Sequence, residues 1–177
     1  MSHPKIPPLQ LYFIAVTGRD LDLWEKALDL LKPELGSPIF QSKIYDFSSF
    51  TSYYAKEMGE NLKKGIYFFE KLKPPEYLID LKYKCYEIEK KFANSLGNRR
   101  INLDPGYLGL SKVVLSTFKD YAHRIYLGKG VYAEVTLIYK NKTYMELPWT
   151  YPDYKQPEII EIFNKVRAWY KENLNVN

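Results

Sequence analysis

The sequence contains one cysteine and two histidines in 177 residues, and this scarcity excludes several kinds of site. Cys85 alone can form neither an internal disulfide nor a cysteine-based zinc site. A Ser-His-Asp arrangement could form only around His123, because His3 lies in residues 1–8, an N-terminal segment that we expect to be loose. The motifs of P-loop nucleotide hydrolases, dinucleotide-binding folds, serine hydrolases and zinc proteases are also missing.

Long apolar runs are missing as well. The longest, Leu11–Val16, is far shorter than the about 20 residues that cross a bilayer, and Met1–Pro8 is too polar for a secretory signal. With 46% hydrophobic and 27% charged residues, the chain has the composition of a folded protein. We therefore expect one globular domain over residues 1–177, located in the cytoplasm. The abundance of Lys and Glu is also typical of thermophilic proteins.

Hydrophobic periodicity predicts an α+β fold. Strands are expected at Leu11–Thr17, Pro38–Phe47 and Gly65–Leu72, and apolar residues at helical spacing predict helices over residues 21–31 and 75–97. Four more strands, then a helix from Pro157, are expected at Val113–Phe118, Ala122–Leu127, Val131–Tyr139 and Thr143–Pro148. The order β-α-β-β-α followed by a β-meander predicts two or three long helices on one face of a mainly antiparallel sheet.

The polar and apolar parity of the meander predicts the register of its two hairpins. Each hairpin is expected to turn through three residues, at 128–130 and at 140–142. The predicted pairs are Leu127–Val131, Ile125–Ala133 and Arg124–Glu134 in the first hairpin, and Leu137–Met145 and Thr136–Glu146 in the second. A slip of one residue would mix apolar and polar side chains on each face.

The excess positive charge is concentrated in one segment. Residues 99–155 hold nine basic and five acidic residues, which places +4 of the net charge of +5 there. A local positive field can attract phosphate or carboxylate groups, although surface lysines that keep the protein soluble would give the same count. The segment is therefore the first place to look for an anionic ligand.

The same segment combines cationic, aromatic and acidic side chains. Cationic groups can hold an anionic ligand while aromatic faces stack on a flat ring. The candidate ligand-binding residues are Arg99, Arg100, Lys119, Arg124, Tyr126, Trp149, Tyr151 and Asp153, and the candidate catalytic residues are His123, Asp104 and Glu134.

Structural roles compete with each of these functional roles. Arg124 and Glu134 could form only a cross-strand ion pair, and Asp104 could only cap a turn at Asp104-Pro105-Gly106. The aromatic loop at Trp149 could fill the end of the core, and His123 could be a hydrogen-bonded core histidine.

Four ordered stretches of the chain resemble the family catalogued as domain of unknown function 4416. They lie in residues 50–59, 102–107, 123–127 with 134–137, and 149–154. The resemblance implies a small prokaryotic, cytoplasmic protein from a family with no established activity. It directs attention to a set of polar and aromatic residues without assigning any of them a role, namely Asp104, Lys119, His123, Arg124, Glu134, Trp149 and Asp153.

The interleaved charge and aromatic residues favour a pocket for a phosphate-bearing ligand, such as a nucleotide or an RNA end. Lys119, Arg124 and Arg99 or Arg100 would engage the phosphate, and the aromatic rings at Trp149 and Tyr151 would stack on a base.

Two other functions stay open. In a metal-assisted hydrolase or transferase, Asp104, Glu134 and Asp153 would bind Mg²⁺ and His123 would act as acid or base, which requires the carboxylates to converge. In a non-catalytic interaction protein, the aromatic loops would contact a protein partner. The residues alone give neither the ligand, the reaction nor the oligomeric state.

Overall fold

The first apolar run of the sequence forms the central strand of the fold. In the computed structural model this strand is β1 (Leu11–Gly18), and all eight of its residues are buried. Its alternate side chains enter two different cores, with Phe13 and Ala15 on one face and Ile14 and Val16 on the other. Both faces of the strand therefore need a covering layer.

One sheet contains all nine strands of the described residues, which are Met1 and 3–174. The other strands are β2 (Pro38–Gln41), β3 (Tyr45–Asp46), β4 (Lys63–Phe69), β5 (Ile101–Leu108), β6 (Lys112–Thr117), β7 (Arg124–Gly128), β8 (Val131–Lys140) and β9 (Thr143–Glu146). Their order is β2-β4-β1-β5-β6-β8-β7, with β3 also beside β4 and β9 also beside β8. Every pairing is antiparallel, which confirms the expected sheet type.

Helices cover both faces of the sheet, so the expectation of one covered face is wrong. The α-helices are α1 (Leu21–Asp29), α2 (Lys32–Leu35), α3 (Ala55–Met58), α4 (Tyr77–Lys91) and α5 (Pro157–Asn173). α1 and α4 pack against the face that carries Ile14, and α5 packs against the face that carries Phe13. The domain has the predicted α+β class and three long helices. In the part of the chain that the structure describes, no helix has the length and apolarity needed to cross a membrane.

Two predicted local structures differ from the observed ones. Residues 38–47 form two strands, because the chain leaves the ladder after β2 and the Ser42 hydroxyl accepts a hydrogen bond from the Ile66 N–H. The predicted turn at Asp104-Pro105-Gly106 lies in the middle of β5. Proline fits there because its nitrogen, which has no hydrogen to donate, faces the edge of β5 along which β6 is not paired at this position.

The register of the first hairpin agrees with the prediction except at its tip. Arg124 pairs with Glu134 and Ile125 with Ala133, as expected. A bulge after Tyr126 then places Gly128, rather than Leu127, opposite Val131.

The predicted register of the second hairpin is wrong by one residue. Leu137 lies opposite Glu146, rather than opposite Met145, and Thr136 is accordingly not paired with Glu146. The cause is a two-residue turn: Asn141 and Lys142 both adopt a left-handed backbone, with φ of 53° and 63°. Turns of this kind match the twist of the two strands better than the three-residue loop that was expected.

Part of the N-terminal segment that was predicted to be loose, residues 1–8, is described. The described residues of this segment are exposed and form no helix or strand. Ser2 lies outside the described residues, as do residues 175–177 of the predicted domain.

The left-handed turn gives a direct test of the second register. Lys142→Gly should raise the free energy of unfolding by about 1 kcal/mol, because glycine adopts a positive φ without the clash of a Cβ atom. Lys140→Gly, in the adjoining strand, should lower it by a similar amount. Urea denaturation measures both, and equal losses in the two variants would contradict the turn geometry.

Candidate functional site

The sheet splits between β5 and β6. β5 pairs with β1 along its whole length but with β6 only from Gly106 to Leu108. Side chains take the place of the missing strand: the Leu103 N–H donates to the Glu89 carboxylate at 2.6 Å, and the Ser116 hydroxyl donates to the Pro105 carbonyl at 2.9 Å. The split therefore brings polar side chains into the centre of the fold.

A buried ionic cluster occupies the α4 side of this split. Lys82 Nζ lies 3.5 Å from Asp104 Oδ1, and the Asn102 amide donates to Asp104 Oδ2 at 2.7 Å. Glu89 is buried beside them, and Arg99 lies 4.0 Å from its second oxygen. Burial raises the pKa of Glu89 to about 7, against the opposing effect of its hydrogen bond from Leu103.

Arg99 connects this cluster to α3. Its Nε and Nη2 atoms donate to the Glu57 carboxylate at 2.9 and 2.7 Å, and its Nη1 donates to Asn102 at 2.6 Å. The hydrogen bonds from Arg99 lower the pKa of Glu57, which keeps this carboxylate ionised. The donors of Arg99 are thus largely used within the protein.

An open cleft of about 410 Å³ lies on the outer side of Arg99. Arg19 and Arg100 also line it, together with the carboxylates of Asp20 and Glu57. Arg100 donates to Asp20 at 3.1 Å in an exposed pair. Arg19 has no salt bridge or hydrogen bond to any side chain of the described residues. We call this feature the arginine cleft.

The arginine cleft continues into a row of alternating aromatic and basic side chains. The Arg99 guanidinium lies 5.6 Å from the centre of the Tyr54 ring, and this ring meets the Tyr53 ring edge-on at 4.9 Å. Lys119 Nζ lies 4.5 Å above the Tyr53 ring and hydrogen-bonds its hydroxyl. The Lys119 backbone connects this row to the group around His123, because its carbonyl accepts a hydrogen bond from Arg124.

His123 is held by a buried carboxylate and by an aromatic stack. Glu134, only 2% exposed, accepts from His123 Nε2 at 2.8 Å. The Trp149 ring lies parallel to the imidazole at 5.0 Å, and the Tyr121 ring meets it edge-on at 5.4 Å. Trp149 is itself fixed, because its Nε1 donates to the Val135 carbonyl at 2.8 Å. We call the row from Arg99 to Trp149 the basic–aromatic strip.

Arg124 supports this group from below. Its Nε donates to Glu134 at 3.0 Å, and its two terminal nitrogens donate to the Lys119 carbonyl at 3.1 Å and to the Tyr151 hydroxyl at 3.0 Å. All three nitrogens of the Arg124 guanidinium therefore donate to groups of the protein itself. Arg124 orders this group, and the ligand-binding role predicted for it stays a prediction.

The predicted site residues are brought together in part. Lys119, His123, Arg124, Glu134, Trp149 and Tyr151 form one group. Asp104 belongs to the ionic cluster with Lys82 and Asn102. Burial raises the pKa of the Tyr151 hydroxyl, and the charges of Glu134 and Asp104 add to this effect. Arg99 and Arg100 lie at the other end, in the arginine cleft.

Two predicted residues lie apart from this group. Tyr126 packs on Tyr132 near the tip of the first hairpin. Asp153 is buried and accepts from Lys64 Nζ at 2.6 Å and from the Tyr45 hydroxyl at 2.8 Å. The three carboxylates proposed as Mg²⁺ ligands thus have different basic partners. Within the described residues, no three His, Cys, Asp or Glu side chains are placed to hold a metal ion.

Several residues of the site have no counterpart in the sequence prediction. Lys82 and Glu89 are charged residues at positions where the apolar period of α4 predicts burial, so their placement could have been noticed. Arg19 and Glu57 gave no such signal, because only the tertiary fold brings them to Arg99.

The chain matches the model of one protein family over residues 7–170, and the description of that family is domain of unknown function (DUF4416). No curated protein and no solved structure matches it. The comparisons therefore supply a family but no relative with an assigned ligand or activity.

The Asp153 contacts predict a structural role for this residue. Asp153→Asn should lower the free energy of unfolding by about 3 kcal/mol, because it leaves the buried Lys64 ammonium without a counter-charge. Glu146→Gln, which removes an exposed pair with Lys155, should cost less than about 0.5 kcal/mol. Urea denaturation at pH 7 compares them, and similar small losses would contradict the structural role.

The raised pKa of Glu89 predicts a pH-dependent stability. The folded state binds this proton up to about pH 7, whereas the unfolded state loses it near the ordinary value of 4.5. The contribution of Glu89 is therefore fully present below pH 4.5 and is lost as the pH rises through 7.

Glu89→Gln removes this titration and keeps an acceptor for Leu103. Relative to the parent protein, the variant should gain up to about 3 kcal/mol in unfolding free energy between pH 4.5 and 8. Glu87→Gln, on the exposed face of α4, is the control and should show no comparable gain. Parallel pH profiles for the parent and Glu89→Gln would refute the assignment.

Proposed function

The chain belongs to the family described as domain of unknown function 4416, and from the geometry of its site we propose that it binds a phosphate-bearing ligand with an aromatic ring, such as a nucleotide or the end of an RNA. One observation carries this proposal: Arg19 lies in a cleft with Arg99 and Arg100, and its guanidinium has no protein side chain bound within the described residues. Guanidinium groups bind phosphate in a two-pronged manner.

The three arginines divide the work in the arginine cleft. Arg19 supplies free donors, and Arg100 can exchange its exposed pair with Asp20 for a phosphate at little cost. Arg99 adds charge but few donors, because Glu57 and Asn102 already occupy it. A volume of about 410 Å³ is within the range of small-ligand sites.

The basic–aromatic strip would bind the remainder of the ligand. Tyr53 is 64% exposed and Trp149 38% exposed, so both can offer a ring face or edge to a base. Lys119 lies beside Tyr53 and can meet a second phosphate. Alternating stacking and charge is the pattern with which proteins hold single-stranded nucleic acid. The strip therefore favours a ligand longer than a free phosphate.

The other two predicted functions receive less support from this geometry. The metal-assisted reaction requires carboxylates that converge, and Asp104, Glu134 and Asp153 are each held by a different cation. Protein interaction through the aromatic loops stays a prediction. The exposed rings lie beside cations, so they are as well suited to stack on bases as to contact a protein partner.

Arg19→Gln tests the proposal. Binding of a fluorescein-labelled hexauridylate with a 5′-phosphate, followed by fluorescence anisotropy, should weaken at least 10-fold, since a charge-assisted hydrogen bond contributes about 1.5–3 kcal/mol. Lys43→Gln removes one positive charge at an exposed position outside the cleft and should change binding less than about twofold.

The same experiment separates the possible ligands. Competition by uridine monophosphate at similar concentration would indicate a nucleotide, and preference for the hexamer would indicate an RNA. If neither probe binds, or if Arg19→Gln binds as tightly as the parent protein, the proposed function is wrong.

A further inference from the structure

The environment of His123 differs from that of a histidine that only fills space. Its Nε2 is fixed by a hydrogen bond to a carboxylate that is 2% exposed, and its ring is clamped by Trp149. Because a carboxylate accepts, Nε2 carries the proton of the neutral imidazole, and the lone pair lies on Nδ1. Nδ1 has no hydrogen-bond partner within the described residues, and it is not fully buried. This nitrogen is therefore free to accept a proton.

One of the two carboxylate oxygens of Glu134 has no hydrogen-bond partner within the described residues. Its Oε2 accepts from His123 and Arg124, whereas its buried Oε1 has no hydrogen-bond partner within the described residues. A buried carboxylate oxygen without a partner is costly to the fold. An imidazolium formed at His123 would be stabilised by the Glu134 carboxylate, whose Oε2 its Nε2 already contacts. A buried carboxylate that orients a histidine and stabilises its protonated form is the arrangement found behind histidine bases.

We propose that the His123–Glu134 pair is a proton-transfer centre that cleaves single-stranded RNA bound along the basic–aromatic strip. The inference rests on the proposed function, because the basic–aromatic strip must first bind the RNA. His123 Nδ1 would accept the proton of a ribose 2′-hydroxyl. Lys119, four residues earlier in the chain, would stabilise the negative charge that develops on the phosphate.

The reaction balances without a metal or a second substrate. The 2′-oxygen forms a bond to the adjacent phosphorus as its proton moves to His123 Nδ1, and the bond from phosphorus to the 5′-oxygen of the next nucleotide breaks. The leaving oxygen takes a proton from water. The products are a 2′,3′-cyclic phosphate and a free 5′-hydroxyl, and His123 returns its proton to solvent.

The position of the strip agrees with an internal cleavage. Arginines at one end would hold a terminal phosphate. Contacts run from Arg99 through Tyr54 and Tyr53 to Lys119, whose carbonyl accepts from Arg124 beside the His123–Glu134 pair. A ligand anchored in the arginine cleft would therefore present a later phosphodiester to His123. A mononucleotide would be too short to be cut.

The test uses the full-length protein and the 5′-phosphorylated hexauridylate, with products identified by mass spectrometry. Wild-type protein should produce a 2′,3′-cyclic phosphate, and His123→Gln should reduce the rate at least 100-fold. Glutamine keeps a donor toward Glu134, so unchanged thermal unfolding and unchanged anisotropy binding should accompany the loss. His3→Gln, which alters the only other histidine, should cleave at the wild-type rate.

Nuclear magnetic resonance gives a readout that does not depend on activity. With two histidines in the chain, long-range ¹⁵N–¹H spectra of the parent and of His3→Gln identify His123. The neutral ring should carry its proton on Nε2. A proton on Nδ1 would contradict the arrangement, whatever the cleavage assay shows.

The outcomes distinguish this inference from the proposed function. If the hexamer binds in an Arg19-dependent manner but stays intact, the proton-transfer centre is wrong and the binding function stands. Equal cleavage by wild type and His123→Gln, or equal cleavage of the DNA analogue that lacks a 2′-hydroxyl, would also overturn it. If the hexamer does not bind at all, the proposed function fails first.

Discussion

A buried strand needs hydrogen-bond partners on both of its edges, and β5 has no neighbouring strand on one edge over its first half. Water could satisfy those groups only if the sheet were open to solvent, and Leu103 lies in the core. The Glu89 carboxylate therefore accepts from the Leu103 N–H, and this places an acid inside the fold. Lys82 pairs with Asp104 beside this acid, and Arg99 lies 4.0 Å from its second oxygen. The polar interior is thus a consequence of one incomplete strand pairing.

This origin explains why charge counts alone do not show which cations have free donors. The segment from 99 to 155 is basic as predicted, but Arg124 and Arg99 direct their donors into the protein. Arg19 lies outside that segment, lines the arginine cleft and has no salt bridge or side-chain hydrogen bond among the described residues. Net charge indicates that a field exists. The hydrogen bonds decide which cation can serve a ligand.

Features set by local sequence could be predicted, and features set by tertiary pairing could not. The apolar run of β1, the helical period of α4 and α5 and the pairing of Arg124 with Glu134 all follow from patterns within a few residues. The Asp-Pro-Gly stretch has the composition of a turn, yet it forms part of a strand because it pairs with β1 along one edge. Its other edge faces the split, where the proline needs no N–H.

The site followed the same division. His123 directly precedes β7, Glu134 lies in β8 and Trp149 follows β9, so the local strand pattern is enough to bring them near one another. The joining of Arg19 and Glu57 to Arg99 depends on three separate parts of the chain. Lys82 and Glu89 lie on the face of α4 that the apolar period predicts to be buried. Charged residues are not expected on such a face, so the period alone did not single them out.

The two-sided burial of β1 has a consequence for how the chain assembles during synthesis. One face of β1 is covered by α1 and α4, but the other waits for α5, which the ribosome makes after every strand of the sheet. Until then Phe13 and its neighbours on that face lack their cover, although their hydrogen-bond partners in β4 and β5 are already available. A sheet that forms on the nascent chain before α5 is made would therefore expose this apolar face, and exposed apolar surface in incompletely folded chains promotes aggregation.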